Sequence, residues 1–355
     1  METMTGIKVT RTKHSKLSEV DFNHLEFGKY TSDHMLVADY YHGQWNEPAI
    51  VPFANLSLSP TALCLHYGQT VFEGMKAFRM KDGRVNIFRI DTHFERFNRS
   101  LRRMCMAEIP ADIFEEGLKE LVATDNNWVP GEEGSALYLR PFMFASEAKF
   151  GIKVSDEYRF VIFTGPVGEL FSRPIKLKVE MEYIRAAKGG TGSTKCGGNY
   201  GGALYPTRLA KEEGYDNLIW TDAKEHSSVE ESGAMNLLFV IDGKLLTPPA
   251  SDSILNGITK DSLLVLARDM GVDLEERTVS VNEIKEAFKK GTITEAYAVG
   301  TAAVASSIEV IGIDGEDYKL PAYNENGIVI KLKKKLNAIR YGADEDIYNW
   351  NTIVG

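Results

Sequence analysis

The sequence predicts an α+β protein of two domains, and three observations carry that prediction. The chain has 355 residues, and domains of ordinary size run about 100–200 residues, so length alone suggests about two. Strand patterns and amphipathic helix patterns are interspersed along the whole chain. Between them, Gly165-Pro166-Val167-Gly168 through Arg173-Pro174 concentrates chain breakers in one stretch, the best candidate for an interdomain linker. We therefore expect an N-terminal α/β domain over 1–165, a linker and first strand over 166–182, and a C-terminal domain over 183–355. A chain of this size can bury roughly three quarters of its unfolded surface.

Residues 35 to 90 read as short strands and turns. Asp82-Gly83, between Met75-Lys76-Ala77-Phe78 and Val85-Asn86-Ile87-Phe88, is a hairpin signal, because both residues tolerate the positive φ that tight hairpins need. Lys76 lies in a strand without glycine neighbours and reads as structural or exposed. Asp91 is expected to cap a helix in which Phe94, Phe97, Leu101 and Met104 form one apolar stripe, with Arg96, Arg99, Arg102 and Arg103 off it. A second helix is expected from about Ala111 to Thr124. In the strand Ser135 to Ala145, Leu137 and Leu139 share one face and Tyr138 and Arg140 the other. A phenol beside a guanidinium suits a carboxylate, and equally a cross-strand or surface pair. Arg159 to Thr164 reads as a buried strand.

Lys176 to Glu182 alternates strictly, with Leu177, Val179 and Met181 turned inward. Leu218-Ile219-Trp220 and Leu237 to Ile241 look like strands, and Asp242-Gly243 turns the second back towards Leu245 and Leu246. Asn256-Gly257-Ile258-Thr259 opens a helix from Lys260 to Met270 that stops at Gly271. Its start offers free N–H groups and partial positive charge to a phosphate, as any helix start does. Ser280-Val281-Asn282-Glu283 is a capping box for the next helix, ended by Gly291. After a strand from Thr294 to Val299, Gly300-Thr301-Ala302 supplies a second anion-binding turn, and 328–341 reads as a basic-faced helix.

Apolar content of 43% and charged content of 26% are ordinary for a globular protein. A net charge of −9 argues against a nucleic-acid or anionic-membrane partner, either of which favours a basic face. Cys64, Cys105 and Cys196 lack metal-ligand spacing and are odd in number, so neither a metal site nor a disulfide framework is expected. The longest weakly charged run, Ala296 to Ile308, is too short to span a bilayer. The N-terminus has no apolar core for a secretory signal, and Glu2 weighs against an organelle-targeting peptide. A cytoplasmic enzyme of small molecules fits these bounds.

Lys188 to Tyr205 holds seven glycines in eighteen positions, with Lys195 near its middle and Tyr200 five residues on. Such density costs backbone entropy and implies unusual angles or a close approach to something bound. Three readings fit a lysine there: a mobile surface loop, a phosphate cradle, or an amine placed to form a Schiff base with a carbonyl cofactor. The cradle needs Gly-Lys-Ser/Thr, and Thr194 and Cys196 flank the lysine instead.

Thr194-Lys195-Cys196-Gly197-Gly198-Asn199-Tyr200 resembles the signature of the branched-chain amino acid aminotransferases, class IV pyridoxal-phosphate enzymes. His66-Tyr67-Gly68 with Phe72-Glu73-Gly74, Leu137 to Pro141, Glu231 to Leu237, Gly257-Ile258-Thr259 and Gly300 to Ala303 match in the family's order, over roughly residues 30 to 345. The resemblance implies the two-domain D-amino acid aminotransferase-like fold, with the C-terminal domain binding pyridoxal 5'-phosphate. It implies that Lys195 carries the cofactor as a Schiff base and moves the Cα proton, that Tyr200 meets the ring oxygen, and that Glu231 pairs with the ring nitrogen. Arg96, Ile258, Thr259 and Thr301 would hold the phosphate, with Asn236 facing the site. Tyr138 and the Thr301-Ala302 backbone would bind the substrate carboxylate, with Arg140 in support, while Tyr67 and Phe72 line an apolar pocket for leucine, isoleucine and valine. The amino acceptor would be 2-oxoglutarate, and the family forms homodimers.

Ala303 and Ser306 stand where mammalian members have a Cys-x-x-Cys pair, and Ala234 where they have threonine. Redox regulation of that kind is therefore not expected. The alternatives are a D-amino acid aminotransferase or aminodeoxychorismate lyase of the same fold, and a non-enzymatic protein that binds a phosphate ligand.

Overall fold

The computed structural model describes residues 6–171 and 173–354; Glu2, and Ser172 within the predicted linker, lie outside them. The chain packs as two compact units. The first comprises Met1–Leu170, Thr194–Gly198 and Ile339–Gly355, the second Phe171–Ser193 and Asn199–Ala338.

The first unit is built on a ten-stranded sheet. Its main path runs Lys8–Val9, Ala49–Pro52, His34–Tyr41, Tyr158–Val167, Ala136–Ala145, Met75–Arg79, Val85–Phe88 and Asn351–Val354. The predicted hairpin forms, with Gly83 at φ 87° and Ala77 opposite Ile87. Leu137 and Leu139 are fully buried in a core shared with Phe97, Leu101, Phe114 and Leu118, each such side chain contributing about 1.5–3 kcal/mol by burial. The terminal strand Asn351–Val354, for which there was no sequence signal, closes the edge beside Val85–Phe88.

Some expectations are corrected or narrowed here and in the second unit. The helix is Ile90–Arg103, and its N-cap is Arg89 in the left-handed region with no side-chain cap bond. Asp91 lies inside the first turn, where its charge complements the helix dipole instead of capping. Arg96 is buried on that helix together with His93 and Ser100, because Glu73 supplies a countercharge. Lys76 is buried, which leaves only the structural reading for it. Gly165-Pro166-Val167 extends the strand Tyr158–Val167, and a Cβ at Gly165 would lie 2.2 Å from the Tyr30 carbonyl oxygen, so the glycine reports close packing.

The second unit holds a nine-stranded mixed sheet, with main path Asn217–Ile219, Ile175–Val179, Val304–Ile313, Ile293–Gly300, Met235–Ile241, Lys244–Thr247 and Leu274–Glu276. Leu177, Ile219, Leu237, Phe239, Ala298 and Ile311 form its core. Met181 is exposed, because the strand ends at Val179 and the alternation runs on past it. Asp242 and Gly243 both take positive φ, 51° and 78°, as a tight hairpin requires. Ser280 caps the helix Val281–Lys290, its Oγ accepting from the Glu283 N–H at 3.0 Å, and Gly291 ends it at φ 68°. Among the described residues, no helix is long and apolar enough to cross a membrane.

Candidate active site

The backbone around Lys195 is bonded to its surroundings on both sides. Cys196 bridges Val71 of the strand Thr70–Phe72, the Phe72 N–H donates to the Lys195 carbonyl at 3.0 Å, and the Gly197 N–H donates to the Thr70 carbonyl at 3.2 Å. The lysine stretch is thus pinned to that strand through an isolated β-bridge. A Cβ at Gly197 would sit 2.5 Å from Thr70 Oγ1, which accounts for glycine there. The Lys195 N–H also donates to Ser100 Oγ, 3.1 Å away on the helix that carries Arg96. Residues four apart share a helix face, so Ser100 and Arg96 are presented together.

Lys195 Nζ lies 4.9 Å from the centroid of the Phe72 ring. The guanidinium of Arg140 lies 4.8 Å from the same centroid, and its Nη2 donates to Tyr138 Oη at 3.0 Å. Arg140 Nε is buried with no hydrogen-bond partner among the described residues, a donor left for a ligand, since buried polar groups are ordinarily satisfied. A Cβ at Gly74 would fall 2.0 Å from Tyr138 Oη, so only glycine lets the phenol take this position. The first unit therefore brings Lys195, Phe72, Tyr138 and Arg140 together. Tyr67 is not brought into ring contact with them: it is exposed, beside His66.

Arg96 is held by Glu73, which is fully buried. Arg96 Nε and Nη2 each lie 2.7 Å from a Glu73 oxygen, while His93 Nδ1 lies 2.8 Å from Glu73 Oε2 and the Gly74 N–H donates to that oxygen at 3.1 Å. Burial alone would raise the Glu73 pKa, but the charges of Arg96 and His93 outweigh it and hold the carboxyl well below its usual range. Burial pushes His93 down, against the pull of Glu73.

In the second unit Glu231 and Asn236 face each other across an antiparallel pair. Between them they take both polar groups of one peptide residue: the Leu255 N–H donates to Glu231 Oε2 at 3.0 Å, and Asn236 Nδ2 donates to the Leu255 carbonyl at 3.0 Å. Three residues later begins the helix Ile258–Asp269, with Gly257 as N-cap. A Cβ at Gly257 would meet Asn236 Oδ1 at 1.9 Å. Glu231 and Asn236 thereby set the position of the N–H groups at Ile258 and Thr259, both buried.

Sequence reasoning missed Arg185. Its Nε lies 2.8 Å from Glu231 Oε1, and its Nη2 donates to the carbonyls of Gly192 and Ser253 at 2.7 and 2.8 Å. One guanidinium ties the buried carboxylate to the glycine-rich loop and to the loop before Leu255. Tyr200 sits in the helical turn Gly198–Gly201, and Thr301 and Ala302 form the turn after strand Ile293–Gly300. The three cysteines are free, and no cluster of metal-ligating side chains occurs among the described residues.

Residues 70–308 match the family model for amino-transferase class IV. The chain is 39% identical over 352 residues to branched-chain-amino-acid aminotransferase 2 of Bacillus subtilis (strain 168), covering 98% of this chain and 96% of that protein. It is 41% identical over 353 residues to a probable branched-chain-amino-acid aminotransferase of Staphylococcus epidermidis, covering 98% of each. Among solved structures, the branched-chain aminotransferase of Thermoproteus uzoniensis with norvaline superposes at a TM-score of 0.76 and 25% identity, over 91% of this chain and 100% of that one.

Proposed function

The chain belongs to the class IV aminotransferases, and on that premise we propose that it moves the amino group of L-leucine, L-isoleucine or L-valine to 2-oxoglutarate, giving the branched-chain 2-oxo acid and L-glutamate. The observation that carries this reading is Lys195, pinned to a strand with its Nζ against Phe72, whose ring also faces Arg140. A base, an apolar wall and a carboxylate receptor share one place, and the relatives at about 40% identity are branched-chain enzymes.

The cofactor is pyridoxal 5'-phosphate. The residues fit it: a half-buried lysine, a buried carboxylate, and a helix start where Gly257 has no side chain to fill the approach. When bound, it supplies an aldehyde carbon for the amino group and a ring that accepts electrons from the substrate's Cα. Lys195 would hold it covalently and, once released, take the Cα proton on Nζ. Glu231 would keep a proton on the ring nitrogen, and Tyr200 would hydrogen-bond the ring oxygen. Arg96, the N–H groups at Ile258 and Thr259, and Thr301 would hold the phosphate, with Asn236 fixing the helix start. Tyr138, Arg140 and the backbone at Thr301 and Ala302 would orient the substrate carboxylate. Phe72 and Tyr67 would exclude water from the side-chain pocket.

Residues 1–165 would act as the N-terminal domain and 183–355 as the cofactor-binding domain, joined through 166–182. We also place the enzyme in the cytoplasm as a homodimer. Support for the dimer comes from Phe150, Ile152 and Val154, which are 90%, 84% and 52% exposed at alternate positions of one loop, an apolar surface of the kind that a partner covers. Incubating the holoenzyme with 2-oxoglutarate and single amino acids tests the function. Glutamate should form with L-leucine, L-isoleucine and L-valine; formation only with D-alanine would move the activity to the D-amino acid enzymes.

A further inference from the structure

A cavity of about 380 Å³ lies in the second unit and includes none of the residues assigned to cofactor or substrate. We propose that it binds an α-amino acid with an apolar side chain, as the zwitterion. The proposal goes beyond the transamination reading and does not depend on it.

Its floor is the face of the nine-stranded sheet turned away from the hydrophobic core. Lys176, Val310 and Lys319 pair in one row across three strands, so their side chains share that face. Tyr297 pairs with Ser307 on the adjoining strands. Leu320 and Pro321 contribute apolar surface from the segment after Lys319.

The charges on this face are unevenly satisfied. Lys178, two residues along the same strand, is paired with Glu213 at 2.7 Å. Lys176 and Lys319 form no ion pair among the described residues; Glu309, which also lines the cavity, forms none within 4.0 Å, although the charge of Arg173 acts on it from a distance. Glu295, the other carboxylate there, is already used: it accepts from the N–H groups of Ile328 and Val329 at 2.7 and 3.1 Å at the start of the helix Ile328–Arg340. Two ammonium groups and one carboxylate are left facing the same space.

Tyr297 supplies the second, independent observation. It is only 4% exposed, it lines the cavity, and its hydroxyl has no hydrogen-bond partner among the described residues. A hydroxyl that opens into a cavity and is bonded to no protein group is a donor available to an acceptor bound there. Burial raises the pKa of this phenol, so it stays a donor at neutral pH.

A ligand that answers all of these groups carries a carboxylate for the lysines, Tyr297 and Ser307, an ammonium for Glu309, and an apolar body for Val310, Leu320 and Pro321. That is an apolar α-amino acid, and the volume suits one, since small-molecule pockets begin at about 300 Å³.

The probe is α-methyl-L-leucine, which has no Cα proton and cannot be turned over. Calorimetric titration of the holoenzyme should show, beside binding at the Lys195 site, a second event that Lys319→Glu weakens by about tenfold or more and Tyr297→Phe by a smaller factor. The kcat with L-leucine should stay within about twofold of the parent in both. Lys319 is exposed and Tyr297→Phe nearly preserves volume, so both variants should fold. Isotherms unchanged in both variants would overturn the proposal. So would isovalerate giving that same variant-sensitive event as tightly as the amino acid, because the ammonium would then be unnecessary.

Discussion

Among the described residues, each unit buries an arginine–glutamate pair, and the two are built the opposite way round. In the first, the carboxylate is the hub: Glu73 gathers Arg96, His93 and the Gly74 N–H. In the second, the guanidinium is the hub: Arg185 gathers Glu231 and the carbonyls of Gly192 and Ser253. The first arrangement aims an arginine; the second presents a carboxylate. A buried ion pair is weak evidence of stability, since desolvation offsets most of its attraction. What both pairs supply is position, for Arg96 in one unit and for Glu231 with two loops in the other.

Glu73→Gln should have the largest effect, because it leaves Arg96 charged and buried. We expect a loss of about 3–5 kcal/mol in urea unfolding. Glu231→Gln should instead act on the chemistry, lowering kcat by about 10²–10³-fold, with a smaller stability loss because Arg185 keeps its bonds to the Gly192 and Ser253 carbonyls. Equal stability losses and equal rate losses in the two variants would break the comparison.

The glycines sharpen it further. Gly74→Ala drives a Cβ into Tyr138 Oη and Gly257→Ala one into Asn236 Oδ1, and overpacking of this sort costs about 1–3 kcal/mol. Gly74→Ala should raise the KM for the amino acid and leave cofactor affinity alone. Gly257→Ala should do the reverse, as read by spectroscopic titration with pyridoxal phosphate.

The smallest effect is the pH dependence of the first pair. Glu73 and His93 are both depressed in the folded protein, from ordinary values of 4.5 and 6.5. The unfolded chain therefore binds more protons as pH falls, so the contribution to stability is complete above the higher value and is lost on acidification. Urea midpoints should decline first through His93 and then, below 4.5, more steeply through Glu73. His93→Gln should remove the upper part of that decline.

Features encoded within a few residues were legible in the sequence. Asp82-Gly83 and Asp242-Gly243 turned where positive φ was cheap, and Ser280 capped its helix through Glu283. Lys195 was legible as glycine density, although its fixation depends on Val71 and Ser100, far away in the chain. The burial of Arg96 was hidden for the same reason: its countercharge sits 23 residues earlier. Arg185 left no periodic or motif signal, because its partners are a carboxylate and two carbonyls that only the folded chain assembles. The resemblance offers Glu231 and Asn236 as ligands of a cofactor; their clamp on Leu255, which positions a helix start, left no signal in the sequence.

The most direct test is the visible absorption of the holoenzyme, with and without Lys195→Ala, as L-leucine or D-alanine is added without an oxo acid. The parent protein should be yellow and bleach with L-leucine but not D-alanine, and the variant should not respond by turnover to either. A parent that stays colourless after pyridoxal phosphate is supplied, or a variant that bleaches with L-leucine at the parent's rate, would contradict the role given to Lys195.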